Sequence, residues 1–172
     1  MEHLFVLSEL STADFEVPLI GDIVLTVSPM DSAQRFTCEA VARKRLSDYK
    51  KAYEMAVAEG DWSGPDLSDD AVCDGLYQLY YIQEVGARHV RDWRGVGNKD
   101  GSAPAPCTPD AVRAFLKVDK FASVFYAKMD AKQTARLLEG NVFRPLPDTS
   151  SVPGPLNVDI AQTDAPTAPE TS

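Results

Sequence analysis

The stretch from Ser28 to Gly60 constrains the fold most, because it opens on a helix-start signal, closes on a helix-stop signal and carries one apolar stripe between them. Ser28 can cap, Pro29 can take the first helical position, where its missing N–H is no loss, and Asp31 stands third in a capping-box arrangement. Cys38, Ala42, Leu46, Tyr49, Tyr53 and Ala56 follow at steps of three or four, with Arg43, Lys44, Lys50 and Lys51 opposite. A helix from Pro29 to about Glu59 is predicted, ending at Gly60.

The rest of the chain divides around it. Phe15 to Ser28 reads as a β-hairpin turning at Gly21-Asp22, with Pro18 confining its first strand to an edge; this is the one strand signal the sequence offers. A second helix, capped by Asp66 or Ser68, should run from about Leu67 and carry Val72, Leu76, Leu79, Ile82, Gly86, His89 and Trp93 on one side. Gly75 and Gly86 within it mark either close helix contacts or a break. Thr108-Pro109-Asp110 starts a third helix, and a fourth spans about Lys120 to Glu139, with Phe121, Val124, Phe125, Ala131, Ala135 and Leu138 on one face. Beyond Arg144 prolines mix with Ser, Thr and Asp, a composition that favours disorder. The expected fold is therefore mainly α: a β-hairpin region at 1–28, a domain of about four helices at 29–143 and a disordered Pro-rich tail at 144–172.

Charge and cysteine usage exclude several classes of function. Seventeen Lys and Arg against 26 Asp and Glu give a formal net charge of -9, which opposes binding to a phosphate backbone, so no nucleic-acid partner is expected. Cys38, Cys73 and Cys107 are odd in number and far apart, pointing to a reducing compartment rather than a disulfide framework or zinc site. The N-terminal apolar run is too short for a signal-peptide core, and no 18-residue apolar span occurs, so no membrane partner is expected. His89, on the apolar stripe, reads as a structural hydrogen-bonding residue, and pairing it with Cys107 or Ser102 has no support. Asp69-Asp70 reads as the acidic first turn of a helix rather than a metal site. Arg43, Lys44 and Arg45 read as a solvated face, and Tyr77, Tyr80 and Tyr81 as core. No cofactor and no catalytic residue is assigned.

His89 to Leu116 holds the remaining question, because its glycines invite a nucleotide-loop reading. The spacing of Gly95, Gly97 and Gly101 is GxGxxxG, the run follows a predicted helix instead of a strand, and no GK[ST] is present, so a phosphate cradle is rejected. A physical reading makes it scaffold: Trp93 anchors, Gly95 and Gly101 allow a backbone other residues resist, Asn98-Lys99-Asp100-Gly101 reverses the chain, and Ser102 to Pro106 forms a stiff strut. The pattern Trp93, Gly95-Val96, a turn closing on Gly101, a proline-containing run and Thr108-Pro109 before an apolar helix resembles the tail assembly chaperones of long-tailed bacteriophages, over about residues 89 to 130. The turn at Gly97-Asn98-Lys99 is less acidic than that pattern, and the tail is longer.

The resemblance implies a helical, non-enzymatic protein of the host cytoplasm that binds the phage tape measure protein and helps recruit the tail tube protein. It also implies a longer frameshifted product, with the segment from Pro145 as a linker or recruitment arm. Self-association is left open. Tyr49, Tyr53, Phe121 and Phe125 are the candidate partner-binding face, on the first and fourth helices. The alternative is a virion structural protein, such as a tail-completion or head-tail connector component.

Overall fold

A computed structural model describes residues 3–5, 12–98, 100–140 and 143–145. The chain runs β1 (His3–Phe5), β2 (Phe15–Pro18), β3 (Val24–Val27), α1 (Ser32–Glu59), α2 (Asp70–His89), β4 (Val90–Arg94), α3 (Pro109–Phe115), α4 (Asp119–Gly140) and β5 (Phe143–Pro145). The mainly α expectation with four helices holds, as does the hairpin of β2 and β3. The predicted disordered tail lies outside the described residues, except that β5 at its start pairs antiparallel with β1.

The hairpin does not stand alone. β4 pairs with β3 to give a three-stranded antiparallel sheet, β2-β3-β4, with Trp93 opposite Leu25. The second helix therefore stops at His89 instead of running through Trp93, a correction to the sequence reading. Val90, Arg91 and Trp93 suit either state by pattern, and pairing with β3 decides for strand. Val17, Leu25 and Val27 from the sheet join Cys38 and Ala42 of α1, Tyr81 and Val85 of α2, Val112 and Leu116 around α3, and Phe125 and Met129 of α4 in one core.

Two helix starts also differ from expectation. Asp31, not Ser28, caps α1: its carboxylate accepts from the Gln34 N–H at 2.7 Å while Gln34 Oε1 accepts from the Asp31 N–H at 2.8 Å. Ser28 is engaged elsewhere, its N–H donating to the His89 carbonyl at 2.8 Å. Asp69 caps α2, because Asp66 already accepts from the Ser68 N–H and from the Tyr53 hydroxyl. The helix-start reading of Asp69-Asp70 holds, as do Gly60 at the left-handed end of α1 and Thr108-Pro109 at the start of α3.

Helix α4 covers the outer edge of β2 with cations. Lys128 donates to the carbonyls of Pro18 and Leu19, Lys132 to that of Glu16 and Arg136 to that of Ala13. Pro18 brings no N–H to that edge. The combination blocks strand addition by another chain, the hazard of any open sheet edge.

The two glycines of α2 have opposite roles. A Cβ on Gly86 would stand 2.3 Å from Leu116 Cδ1 and 3.1 Å from Val112 Cγ1, so this glycine sets how closely α3 approaches. Around Gly75 nothing lies within 4 Å. Gly75→Ala is expected to stabilise the protein by about 0.5–1 kcal/mol through helix propensity. Gly86→Ala is expected to destabilise by about 1–2 kcal/mol, since overpacking outweighs the same gain. Urea unfolding of the two variants checks the difference in sign.

Candidate functional site

The connector from Trp93 to Pro109 folds as a second, smaller hairpin pinned to the sheet. The Asn98 N–H donates to the Ala103 carbonyl at 2.7 Å, the Ala105 N–H to the Val96 carbonyl at 2.9 Å, and the Gly101 N–H to the Asn98 carbonyl at 2.8 Å. Gly101 has φ +71°, as a tight reversal requires. Trp93 is the anchor: Nε1–H donates to the Ala105 carbonyl at 2.7 Å, and its ring meets that of Phe115, centroids 5.7 Å apart. Half-buried Val96, Gly95 against the β2–β3 turn, and the Thr108 cap on Ala111 complete a connector with every signature residue in a structural task.

The proposed partner face fares differently. Phe125 is fully buried in the core, so it is corrected from candidate contact residue to core residue. The helical period explains the error: the inward face of α4 runs through Ala122, Phe125 and Met129, which leaves Leu138 exposed. Phe121 is half-buried and stacked on Phe115 at 4.4 Å. Tyr49 and Tyr53 both pack on Trp62, at centroid distances of 5.4 and 5.2 Å, and the Tyr53 hydroxyl donates to Asp66 at 2.8 Å. These rings clamp the α1–α2 loop to α1.

A polar centre that the sequence reading does not anticipate joins α1, α2 and α3. Glu84, its side chain 3% exposed, accepts from Arg45 Nη1 at 3.1 Å and from Arg113 Nε and Nη2 at 3.0 and 3.3 Å. Gln83 beside it accepts from Arg45 Nη2 and donates to the Arg113 carbonyl. Arg45 also lies over the Tyr80 ring at 4.3 Å. Arg45 therefore departs from the solvated face expected of it, while Arg43 and Lys44 keep to that face with i,i+4 partners Glu39 and Asp48. The signal available in sequence is a Gln-Glu pair inside an otherwise apolar helical run.

His89 is buried at the end of α2. Its Nδ1 lies 3.2 Å from Ser28 Oγ, and its carbonyl receives the Ser28 N–H. Burial, then the charge of Arg91, lowers its pKa from the ordinary 6.5, against weaker opposing backbone hydrogen bonds. The neutral ring is the folded form, in keeping with a structural role. Protonation then favours the unfolded chain: below about pH 6.5 the unfolded state binds more protons, so stability falls with acidification until pH passes the lowered folded pKa. His89→Gln is expected to flatten that part of the stability profile, measured by urea unfolding between pH 7 and 5. The thiols of Cys38 and Cys107 are pushed up by burial, away from nucleophilic thiolate.

Among the described residues no cluster of three or more His, Cys, Asp or Glu has metal-holding geometry, and no helix is long and apolar enough to cross a membrane. What remains conspicuous is the outer face of α1. Phe36 and Met55 are 64% and 68% exposed, and Ala33, Ala40, Lys44, Ser47, Lys51 and Ala58 fill the exposed surface around and between them. Comparison with protein-family models, curated proteins and solved structures finds no match to this chain.

Proposed function

We propose that this chain is a tail assembly chaperone of a long-tailed bacteriophage, holding the tape measure protein by binding alone and helping to recruit tail tube subunits in the host cytoplasm. The observation that carries the reading is the outer face of α1, a 28-residue helix about 42 Å long whose two largest exposed apolar side chains stand about 28 Å apart along it. That length matches several turns of an elongated helical partner, and the small residues Ala33, Ala40, Ser47 and Ala58 let a second helix approach closely. Lys44 and Lys51 on the same face favour acidic positions beside the partner's apolar stripe.

The resemblance of residues 89–130 to the chaperone pattern supports the same reading, and the connector's own hydrogen bonds account for its residues without chemistry. A net charge of -9 keeps a loaded complex soluble. The test is co-expression with the longest tail-region reading frame of the same genome. The expected result is a soluble long protein that co-purifies with several copies of this chain, and mature particles that lack it. An insoluble long protein, with this chain at stoichiometric copy number in purified particles, would instead make it a tail-completion or head-tail connector component.

A further inference from the structure

A cleft opens where the first turns of α1 meet the junction of α2 and β4, and two guanidinium groups face it. Gln34, Thr37, Arg88, His89 and Arg91 line one lobe of about 310 Å³. The cleft continues past Gln34 and Arg91 into a second lobe of about 300 Å³, walled by Thr12, Pro29, Met30 and Asp31.

The backbone places Arg91 there by an irregularity. Thr26 lies opposite Asp92 and Val27 opposite Val90, so Arg91 is the extra residue of a β-bulge. Bulges turn a side chain out of the regular alternation and re-aim it. Here the re-aimed side chain borders both lobes, and among the described residues its guanidinium has no ion pair or hydrogen bond. Arg88 is little better neutralised: among the described residues its guanidinium reaches only Glu84, at 3.8 Å, and that carboxylate is already held by Arg45 and Arg113. Two incompletely matched cations on one cleft are conspicuous in a chain of net charge -9.

We propose that this cleft binds the carboxylate of an acidic peptide side chain flanked by aliphatic residues, with the carboxylate between Arg88 and Arg91 and an aliphatic neighbour against Pro29 and Met30. Guanidinium groups match a planar carboxylate, singly or as a fork. A free phosphate is disfavoured, because Asp31 already takes an amide of α1's first turn and sets its own negative charge at the second lobe, which denies a dianion the backbone donors it needs.

Binding reports on itself through the floor of the cleft. His89 is faced by Arg91 from β4, by Arg88 from its own helix and by Ser28 from the β3–α1 link, and both arginine charges disfavour its protonation. A carboxylate seated between them offsets those charges. The His89 pKa should therefore rise on saturation.

The experiment is an NMR titration of the full chain with acetyl-Val-Asp-Ile-amide, its Asn counterpart and inorganic phosphate. The aspartyl peptide is expected to bind about tenfold tighter than the Asn peptide, a difference that one charge-assisted contact supplies. Arg91→Ala should weaken it at least about fivefold and Arg91→Lys should recover part of the loss, with no change in thermal midpoint since Arg91 is exposed. The upward movement of the His89 titration on binding should vanish in Arg91→Ala. Equal binding of the two peptides, no saturable binding, or an Arg91→Ala affinity equal to wild type would overturn the proposal. Tighter binding of phosphate than of the aspartyl peptide would also overturn it, in favour of a phosphate site. The cleft residues differ from those proposed for the tape measure protein, so either reading can fail without the other.

Discussion

Glu84→Ala is expected to lower the unfolding free energy by about 2–4 kcal/mol, the largest effect of any single truncation in the polar centre. The carboxylate is nearly inaccessible and holds Arg45 and Arg113 at 3.0–3.1 Å, with Arg88 further off at 3.8 Å. Without it three guanidinium groups from α1, α2 and α3 crowd one another with no anion among them. Arg45 and Arg113 keep about a third of their side-chain surface in water, at 34% and 32%, so part of their solvation is recovered and the loss stays below that of a fully buried broken pair. Glu84→Gln retains volume and one acceptor, and should fall between wild type and alanine. Urea unfolding at pH 7 checks this, with a shifted midpoint and an unchanged slope as the expected form. A loss below about 0.5 kcal/mol, the size of an exposed pair, would mean that the centre does not hold the helices together.

Gly95→Ala is expected to cost a similar amount, about 2–4 kcal/mol, by a different route. Gly95 has φ +80°, and a Cβ there would stand 2.6 Å from the Asp22 carbonyl oxygen and 2.9 Å from its carbon. Those atoms belong to the β2–β3 turn, where relief requires moving backbone instead of rotating a side chain. The variant strains its own backbone and pushes the connector off the sheet at once. Gly101 provides the comparison: its φ is +71°, but a Cβ there would meet nothing within 4 Å, so Gly101→Ala should cost only about 1–2 kcal/mol. Thermal unfolding of both variants should rank Gly95→Ala well below Gly101→Ala.

The local signals of this chain are legible in its sequence, and the long-range ones are not. Thr108-Pro109, Gly60 and the Asn98–Gly101 reversal act through neighbours a few residues away, and each stands where its chemistry predicts. Strand β4 escapes sequence reading because its partner β3 lies far earlier in the chain and its five residues lack strict alternation. Ser28 misleads for a related reason: it is a good cap in isolation, but the distant His89 claims it. The polar centre is only half legible: the Gln83-Glu84 pair stands out in its apolar helical run, but nothing in the run Arg43-Lys44-Arg45 marks the third cation as the one turned inward to Glu84. Phe125 shows the limit on reading a binding face, since a large aromatic on an amphipathic helix has the same spacing whether it meets the core or a partner.

The structure also changes which residues a partner can reach. Tyr49 and Tyr53 are held by Trp62, and Phe125 is internal, which moves the proposed contact surface to the outer face of α1. That surface supplies the most direct test of the chaperone proposal. Phe36→Asp and Met55→Asp, made together, place charge on two side chains that the folded protein leaves exposed, so the fold should survive with an unchanged thermal midpoint. The measurement is the soluble yield of the tape measure protein when co-expressed with wild type or with this double variant. The predicted result is a soluble complex with wild type and a loss of at least about tenfold in captured partner with the variant, corresponding to about 1.4 kcal/mol. Equal capture by a folded double variant would contradict the assignment of the outer face of α1 as the binding surface.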